Sequence, residues 1–507
     1  MPSTNLDLLT QETMEIVKKA QTAGLYYSTG VQGVDLGPYT SLVPVNVPAR
    51  NNTSAFPRVI AGEGSQVALW RTMLNANSSQ PAPAVGPDYA GALAVLLKEQ
   101  DVYAKYVPLA YAGRVTLDAI AIARNYTDAL AQAELQTLNQ LFIGQDIAII
   151  NGQAWPLPPM GTVTLSTGSG GSIPASTTVY VAVAPRSGVN YYWGGSGPAS
   201  GAVSVATGTG ANNSVTATWA AVKGAVAYDV YVGSSATSMY YYTTTTLGTV
   251  TITSIPTAAQ PLPNLPLISQ LAPGEGVNPL AQPPVPGNGM PPTTDTSYSG
   301  SNYYNGVIAS TLGDYGALGA VTPGQGTPSG AVFIDGGGQP LQLQGSGINV
   351  LDTINEAIWN NVQLSPTAYM VNSYQAQEIS ELILSTSAAL TFLPPTDADA
   401  RTNLAGGGYI GRYINRAAGG VPVMIEVHPH VPPGTIIART DRVPFPGSNI
   451  GTVFEVRCQY DTMRFDYAAN YQPGTLGGGP RYDFEIRSME TLVNRAPVAQ
   501  AVVANVA

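Results

Sequence analysis

The chain of 507 residues contains one cysteine, Cys458, so no internal disulfide can support its fold. It has two histidines, His428 and His430, which confines any His-dependent catalysis or His-rich metal site to the stretch EVHPHVPPGT. On an extended strand the His-Pro-His spacing puts both imidazoles on one face. The nearest carboxylate in sequence is Glu426, so the expectation is a packed or exposed pair and no metal site. Charge is scarce, at 10 % of residues, where an ordinary soluble domain has about 25 %. No apolar run approaches the roughly 18 residues of a membrane span. The start, MPSTNLDLLTQETMEIVKKAQTAG, lacks the basic-then-apolar pattern of a secretory signal. HExxH, GxSxG and CxxC are all absent. The glycine runs Gly336–Gly338, Gly406–Gly408 and Gly477–Gly479 never lead into the GK[ST] of a phosphate loop and read as flexible turns. Asp397 and Asp399 open like a calcium loop but lack its later glycine and glutamate, so a loop before a helix is expected. With 21 basic and 31 acidic residues the net charge is −10, which argues against a dedicated nucleic-acid binder. The inventory predicts no catalytic residue, no cofactor, no metal and no membrane segment.

What is present is apolar material, 44 % of the chain, together with 55 glycines and 41 prolines set among regular segments. A chain so large and so thinly charged makes a poorly soluble monomer. Burial of its surface against copies of itself resolves that difficulty.

Residues 7–20 have the spacing of an amphipathic helix, with Gly24 beyond it and Lys18 and Lys19 near its C-terminal end. From Val31 to Asn52 the chain reads as an extended arm. Residues 56–72 and 105–115 are strand-like and flank a turn at Asn77–Pro87, a pattern that suits a long two-stranded excursion. Residues 116–142 carry the longest helical period, Leu117, Ile120, Ala121, Arg124, Leu130, Glu134, Leu135, Leu138 and Leu141, and Gly144 is expected to end that helix.

From Gly161 to Pro256 only Arg186, Lys223 and Asp229 are charged. Seven alternating segments recur there: TVTL, TTVYVAVAP, AVSVATG, SVTATW, AYDVYVG, MYYYTTTT and GTVTITSI. Their spacing predicts a β-sandwich. Alternation puts Val215, Ala217 and Trp219 on one inner face and Tyr228, Val230 and Val232 on another, so Trp219, Tyr228 and Val230 are candidate core residues. The W-x8-Y-x-V-Y run resembles the fibronectin type III or immunoglobulin-like modules inserted in phage virion proteins. The missing disulfide favours the fibronectin-like variant.

A Pro-rich stretch follows, with the composition of a semi-stiff connector. Beyond it, residues 349–362 place Leu351, Ile354, Ile358 and Val362 on one helical face. Then come a short buried strand in TAYMV, a helix at 373–384, and strand-like VPVMIEV, TIIART, TVFEVRCQYDTMRFDYAANY and PRYDFEIRSMETLVN. Helices on a mixed sheet predict an α+β fold.

This order, with LAQAELQTLNQLFIGQD closing the long helix and SPTAYMVNSYQAQEISEL giving helix–strand–helix, resembles the tailed-phage major capsid proteins of the Hong Kong 97-like fold. The resemblance implies an N-terminal arm at 1–56, an E-loop at 57–115, and a spine helix with the start of the peripheral domain at 116–156. An inserted sandwich at 157–256 and a connector at 257–302 would follow. The axial domain would lie mainly at 303–445, with peripheral-domain strands and the C-terminal tail at 446–507. It further implies a homo-oligomer of pentamers and hexamers in an icosahedral shell, enclosing double-stranded DNA without sequence-specific binding. Scaffolding, portal and decoration proteins are the partners it suggests; with only a short helix before the arm, a scaffold would be a separate protein or absent. It implies synthesis in the host bacterial cytoplasm and a final place in the virion. Some members cross-link Lys to Asn through the E-loop, where Lys98 and Lys105, two of five lysines, lie; solvated surface lysines are the expectation. An encapsulin-type shell and a surface adhesin are the alternatives. An outward-displayed sandwich predicts that deleting residues 160–256 leaves assembly intact.

Overall fold

The computed structural model describes residues 56–60, 67–75, 98–123, 128–152, 157–158, 160–193, 196–210, 212–256, 304–315, 327–328, 330–344, 347–385, 410–445, 448–467 and 481–507. The helix expected at 7–20, the arm at 31–52, the Asn77–Pro87 turn, the Pro-rich connector, Asp397 with Asp399, and the glycine runs at 406–408 and 477–479 lie outside these residues. The fold is α+β and rich in strands, as the sequence predicts. Among the described residues no helix is long and apolar enough to cross a membrane.

In chain order the principal strands are β1 (Arg58–Ile60), β2 (Val67–Asn75), β3 (Lys98–Lys105) and β4 (Val107–Thr116), followed by helices α1 (Leu117–Ala123) and α2 (Ala129–Asn151). Next come β5 (Thr164–Ile173), β6 (Thr178–Ser187), α3 (Gly188–Trp193), β7 (Val203–Ala206), β8 (Asn213–Thr218), β9 (Ala225–Ser235), β10 (Ser238–Thr245) and β11 (Thr249–Ile252). The remainder is α4 (Val307–Leu312), β12 (Val332–Gln339), α5 (Asn349–Val362), β13 (Ala368–Val371) and α6 (Ser373–Ser385), then β14 (Arg412–Asn415), β15 (Val421–Val427), β16 (Ile436–Arg439), β17 (Phe454–Tyr467), β18 (Arg481–Asn494) and β19 (Ala501–Val506). The chain forms two compact units. The first draws on Met1–Gly64, Tyr106–Asp146 and Val456–Glu490, the second on Ser65–Lys105, Ile147–Glu455 and Thr491–Ala507.

The first unit is built on a four-stranded sheet in the order β1-β17-β18-β4. Even positions of β18 from Phe484 to Glu490 are buried and odd ones half-buried, the alternation of a sheet with one covered face. Gly113 of β4 stands opposite Phe484, and a Cβ there would lie 2.2 Å from the ring, so only glycine lets the ring pass over β4.

The long helix differs from expectation at both ends. Asp128 Oδ1 accepts the Leu130 and Ala131 amides at 3.0 and 3.1 Å, capping a helix that begins at Ala129, while Thr116 caps the separate α1. Gly144 does not end it. The chain stays helical to Asn151 because Ile147, Ala148, Ile149 and Ile150 are all buried, and that burial outweighs the ~1 kcal/mol penalty of an interior glycine.

In the second unit β2 and β3 pair antiparallel from Val67↔Lys105 to Met73↔Glu99. The two-stranded excursion is therefore narrower than 57–115, since β1 and β4 pair in the first unit's sheet. A six-stranded sheet, β12-β19-β16-β13-β15-β14, forms the main framework. Its strand β13 is wholly buried, parallel to β15 and antiparallel to β16. On α5, Leu351, Ile354, Ile358 and Val362 are fully buried on the face the period marks out.

Two further expectations are corrected here. The C-terminal residues are no tail: β19 lies between β12 and β16 with all six residues buried. AVVANV lacks the polar alternation of a half-exposed strand because both its faces are covered. Gly336–Gly338 form no free turn but a bulge in β12. Asp335 pairs with Ala504 and Gln339 with Val506, leaving three glycines against Asn505, and Gly337 and Gly338 have φ of 65° and 68°.

The stretch from Thr164 to Ile252 forms two antiparallel sheets, β10-β9-β6-β7 and β11-β8-β5, one strand for each of the seven segments. Val179, Val181 and Val183 of β6 pack with Val215, Ala217, Tyr228, Val230 and Val232 in one core. The outer face of the three-stranded sheet carries hydroxyl rows, Thr164–Thr218–Thr249 and Ser166–Thr216–Thr251. This face accounts for the local abundance of Thr and Ser, residues that suit a pleated, half-exposed surface.

Candidate assembly surface

Strand β1 is a short edge strand, parallel to β17 through Arg58↔Val456, Val59↔Arg457 and Ile60↔Cys458. Successive strand residues point to opposite faces, yet Val59 is 43 % exposed and Ile60 66 %. Among the described residues, none covers either of these two side chains. An edge strand presents unpaired backbone groups to which another chain can pair, and β1 presents them beside two exposed apolar side chains. Ile122 on α1, Leu135 on α2, Met463 on β17 and Tyr482 on β18 are exposed in the same unit.

Ion pairs add to the backbone pairing that holds β1. Arg58 donates to Glu490 at 2.6 Å and to Asp461 at 2.9 Å, and Glu490 is fully buried. The guanidinium is held well above its ordinary range, the attraction of these carboxylates outweighing the effect of its burial. Beside it, burial pushes the Cys458 thiol up to about 12, opposed by Arg58. A thiol so protonated is a poor nucleophile at neutral pH. Sequence reasoning missed this group, because Arg58 and Glu490 lie 432 positions apart and no local pattern links them.

Among the described residues, the antiparallel β2–β3 pair has one covered face and one exposed face. Ala68, Trp70 and Thr72 are buried, and Trp70 Nε1 and Thr72 Oγ1 both donate to the Asn494 carbonyl, at 3.0 and 3.1 Å. Leu69, 55 % exposed, and Arg71, paired with Asp101 at 2.9 Å, face the other way. Lys98 and Lys105 stand at opposite ends of β3, paired with Asn75 and Val67, and Lys105 is exposed. Seven residue steps of about 3.4 Å separate them, so no single linkage site can use both.

In the sandwich, Trp219 and Tyr228 meet edge to face with ring centroids 5.5 Å apart, and Val230 is fully buried beside them. The Tyr228 hydroxyl accepts the Val222 amide at 2.9 Å, and burial pushes its pKa up to about 12. The histidines do not lie on an extended strand. They follow β15 in a turn, where the His430 amide donates to His428 Nδ1 at 3.1 Å. One imidazole nitrogen is thereby committed to the turn, and Tyr192 packs edge-on against His430 with centroids 6.1 Å apart.

No family profile matches this chain, and no curated protein does. Among solved structures, the capsid of a native GTA particle is similar at 6 % identity and a TM-score of 0.39, covering 90 % of each chain. The capsid asymmetric unit of cyanophage A-1(L) is similar at 9 % identity and a TM-score of 0.38, over 90 % of this chain and 92 % of that one. The holo-SrpI encapsulin complex of Synechococcus elongatus PCC 7942 is similar over 37 % of this chain and 55 % of its own, at 14 % identity and a TM-score of 0.21. These TM-scores lie below the level that marks a shared fold, so the functional reading rests on this chain's own residues.

Proposed function

We propose that this chain is a major capsid protein of the Hong Kong 97-like kind. In this reading it self-assembles through pentamers and hexamers into the icosahedral head of a tailed bacteriophage and encloses double-stranded DNA without reading its sequence. The observation that carries the reading is β1, an edge strand with Val59 and Ile60 exposed on opposite faces, in a chain with only 10 % charged residues. Such a surface gains from burial against further copies, at roughly 25 cal/mol per Å2 of apolar area removed from water. The exposed face of the β2–β3 pair is a second such element. Chemistry plays no part in this role, so the chain acts as a building unit and not as an enzyme. Scaffolding, portal and decoration proteins would be its other partners, host cytoplasm its place of synthesis and the virion its destination.

The inserted sandwich is best read as an immunoglobulin-like or fibronectin-like module on the outer surface. Its four-plus-three division of strands and the Trp219–Tyr228 pair support this. Its first, fourth and seventh strands share the smaller sheet, an allocation unlike the immunoglobulin constant type, so it is a variant of that plan.

The test is Ile60→Asp. The variant is expected to keep the parent's circular dichroism and melting temperature yet form no particles, because a charge is placed where a neighbour would cover it. Shells of unchanged yield and size from Ile60→Asp would contradict the reading. Particles filled with a cargo protein in place of DNA would favour the encapsulin alternative.

A further inference from the structure

Asn505 has φ of 64° inside the buried strand β19, a left-handed conformation that L side chains rarely adopt within a strand. Its side chain shows what the strain achieves. Asn505 Nδ2 donates to Asp335 Oδ1 at 2.8 Å, and its Oδ1 accepts the Gly248 amide. Asp335 Oδ2 accepts the Ala221 amide at 2.7 Å, while Oδ1 also accepts the Gly337 amide at 2.8 Å. Gly248 and Ala221 belong to the sandwich, at the β10–β11 turn and just after β8. Asp335 and Asn505 belong to the six-stranded sheet.

The surrounding glycines are shaped to the same contact. A Cβ at Gly248 would lie 2.6 Å from Asn505 Nδ2, and one at Gly336 would lie 2.6 Å from the Asn505 carbonyl oxygen. The bulge of Gly336–Gly338 is what brings β12 around the left-handed residue. Asn151 Nδ2 donates to the His430 carbonyl at 2.8 Å, and Gly188 leaves no room for a Cβ beside the Asn151 side chain. Different residues make a second contact, the Tyr192 hydroxyl reaching the Pro429 carbonyl at 3.4 Å.

We infer that Asn505 and Asp335 form a clasp holding the inserted sandwich in one fixed attitude on the six-stranded sheet, with the contact of the Tyr192 hydroxyl on the Pro429 carbonyl as its second point. The sandwich is then a rigid extension of the framework and not a module swinging on linkers. The inference holds whatever the chain assembles into. Two attachment points restrain rotation where one leaves a hinge, and backbone strain persists only where neighbouring contacts hold it.

The test is a distance distribution by pulsed electron spin resonance, in a Cys458→Ala chain with spin labels at Thr237→Cys on the sandwich and Arg412→Cys on the sheet. The expected result is a single narrow distribution, broadened at least twofold in Asn505→Gly, which keeps the left-handed backbone and loses the side chain. Asp335→Ala should broaden it as much. Hydrogen exchange at the Val230 and Val232 amides, unchanged in both variants, would show the sandwich still folded. A parent distribution already broad, or a width unaltered in Asn505→Gly, would overturn the inference.

Discussion

Arg186 and Asp229 are two of the three charged residues between Gly161 and Pro256, and they meet each other at 2.7 Å with side chains 8 % and 3 % exposed. Burial pushes the Asp229 carboxyl up, against the pull of Arg186 and Thr244. Removing one partner leaves the other charge buried and unpaired. Arg186→Met is therefore expected to lower stability by about 3–5 kcal/mol in urea unfolding, and Arg186→Met with Asp229→Leu to recover most of it. Equal losses in the single and double variants would contradict this. Tyr228 gives a pH dependence of known sign. The unfolded phenol ionises near its ordinary value of 10.0 and the folded one near 12, so between these pH values the unfolded state loses its proton first. Stability contributed by this residue is fully present below pH 10 and falls as pH rises to 12, by roughly 2–3 kcal/mol. Tyr228→Phe should lose about 1 kcal/mol at pH 8 with the Val222 hydrogen bond and show a correspondingly shallower decline above pH 10 in thermal melts.

At the scale of elements, the chain leaves α2 at Gly152 and returns beside it at Gly306, whose amide lies 3.4 Å from the Gly152 carbonyl oxygen. A Cβ on either glycine would strike the other's backbone. The ends of the intervening segment thus lie side by side, at Gly152 and Gly306. Segments whose ends meet are the ones a fold tolerates losing. Excising 153–305 and joining Gly152 to Gly306 should leave a folded chain that still assembles, as seen by circular dichroism and electron microscopy. Aggregation of the excised chain would contradict it.

Legibility in the sequence followed the range of the interactions. The seven sandwich strands and the buried face of α5 were readable, because periodicity is local and burial had only to follow it. The cap at Asp128 was hidden among good helix formers, and β19 was hidden because both its faces are covered. The Arg58–Glu490 pair and the Asn505–Asp335 clasp join residues 432 and 170 positions apart, beyond any local pattern. Scarce charge pointed to exposed apolar surface, but nothing in the composition singled out β1.

At the scale of the whole molecule, low charge, exposed apolar residues on the edge strand β1 and the exposed face of the β2–β3 pair support the proposal of a subunit whose surface is completed by its own copies. Mass photometry of the purified full-length chain at neutral pH, with negative-stain microscopy of the same sample, tests this most directly. The account predicts closed shells of uniform diameter and masses of many subunits. A stable monomer at micromolar concentration, with no particles across a range of salt and protein concentration, would contradict it.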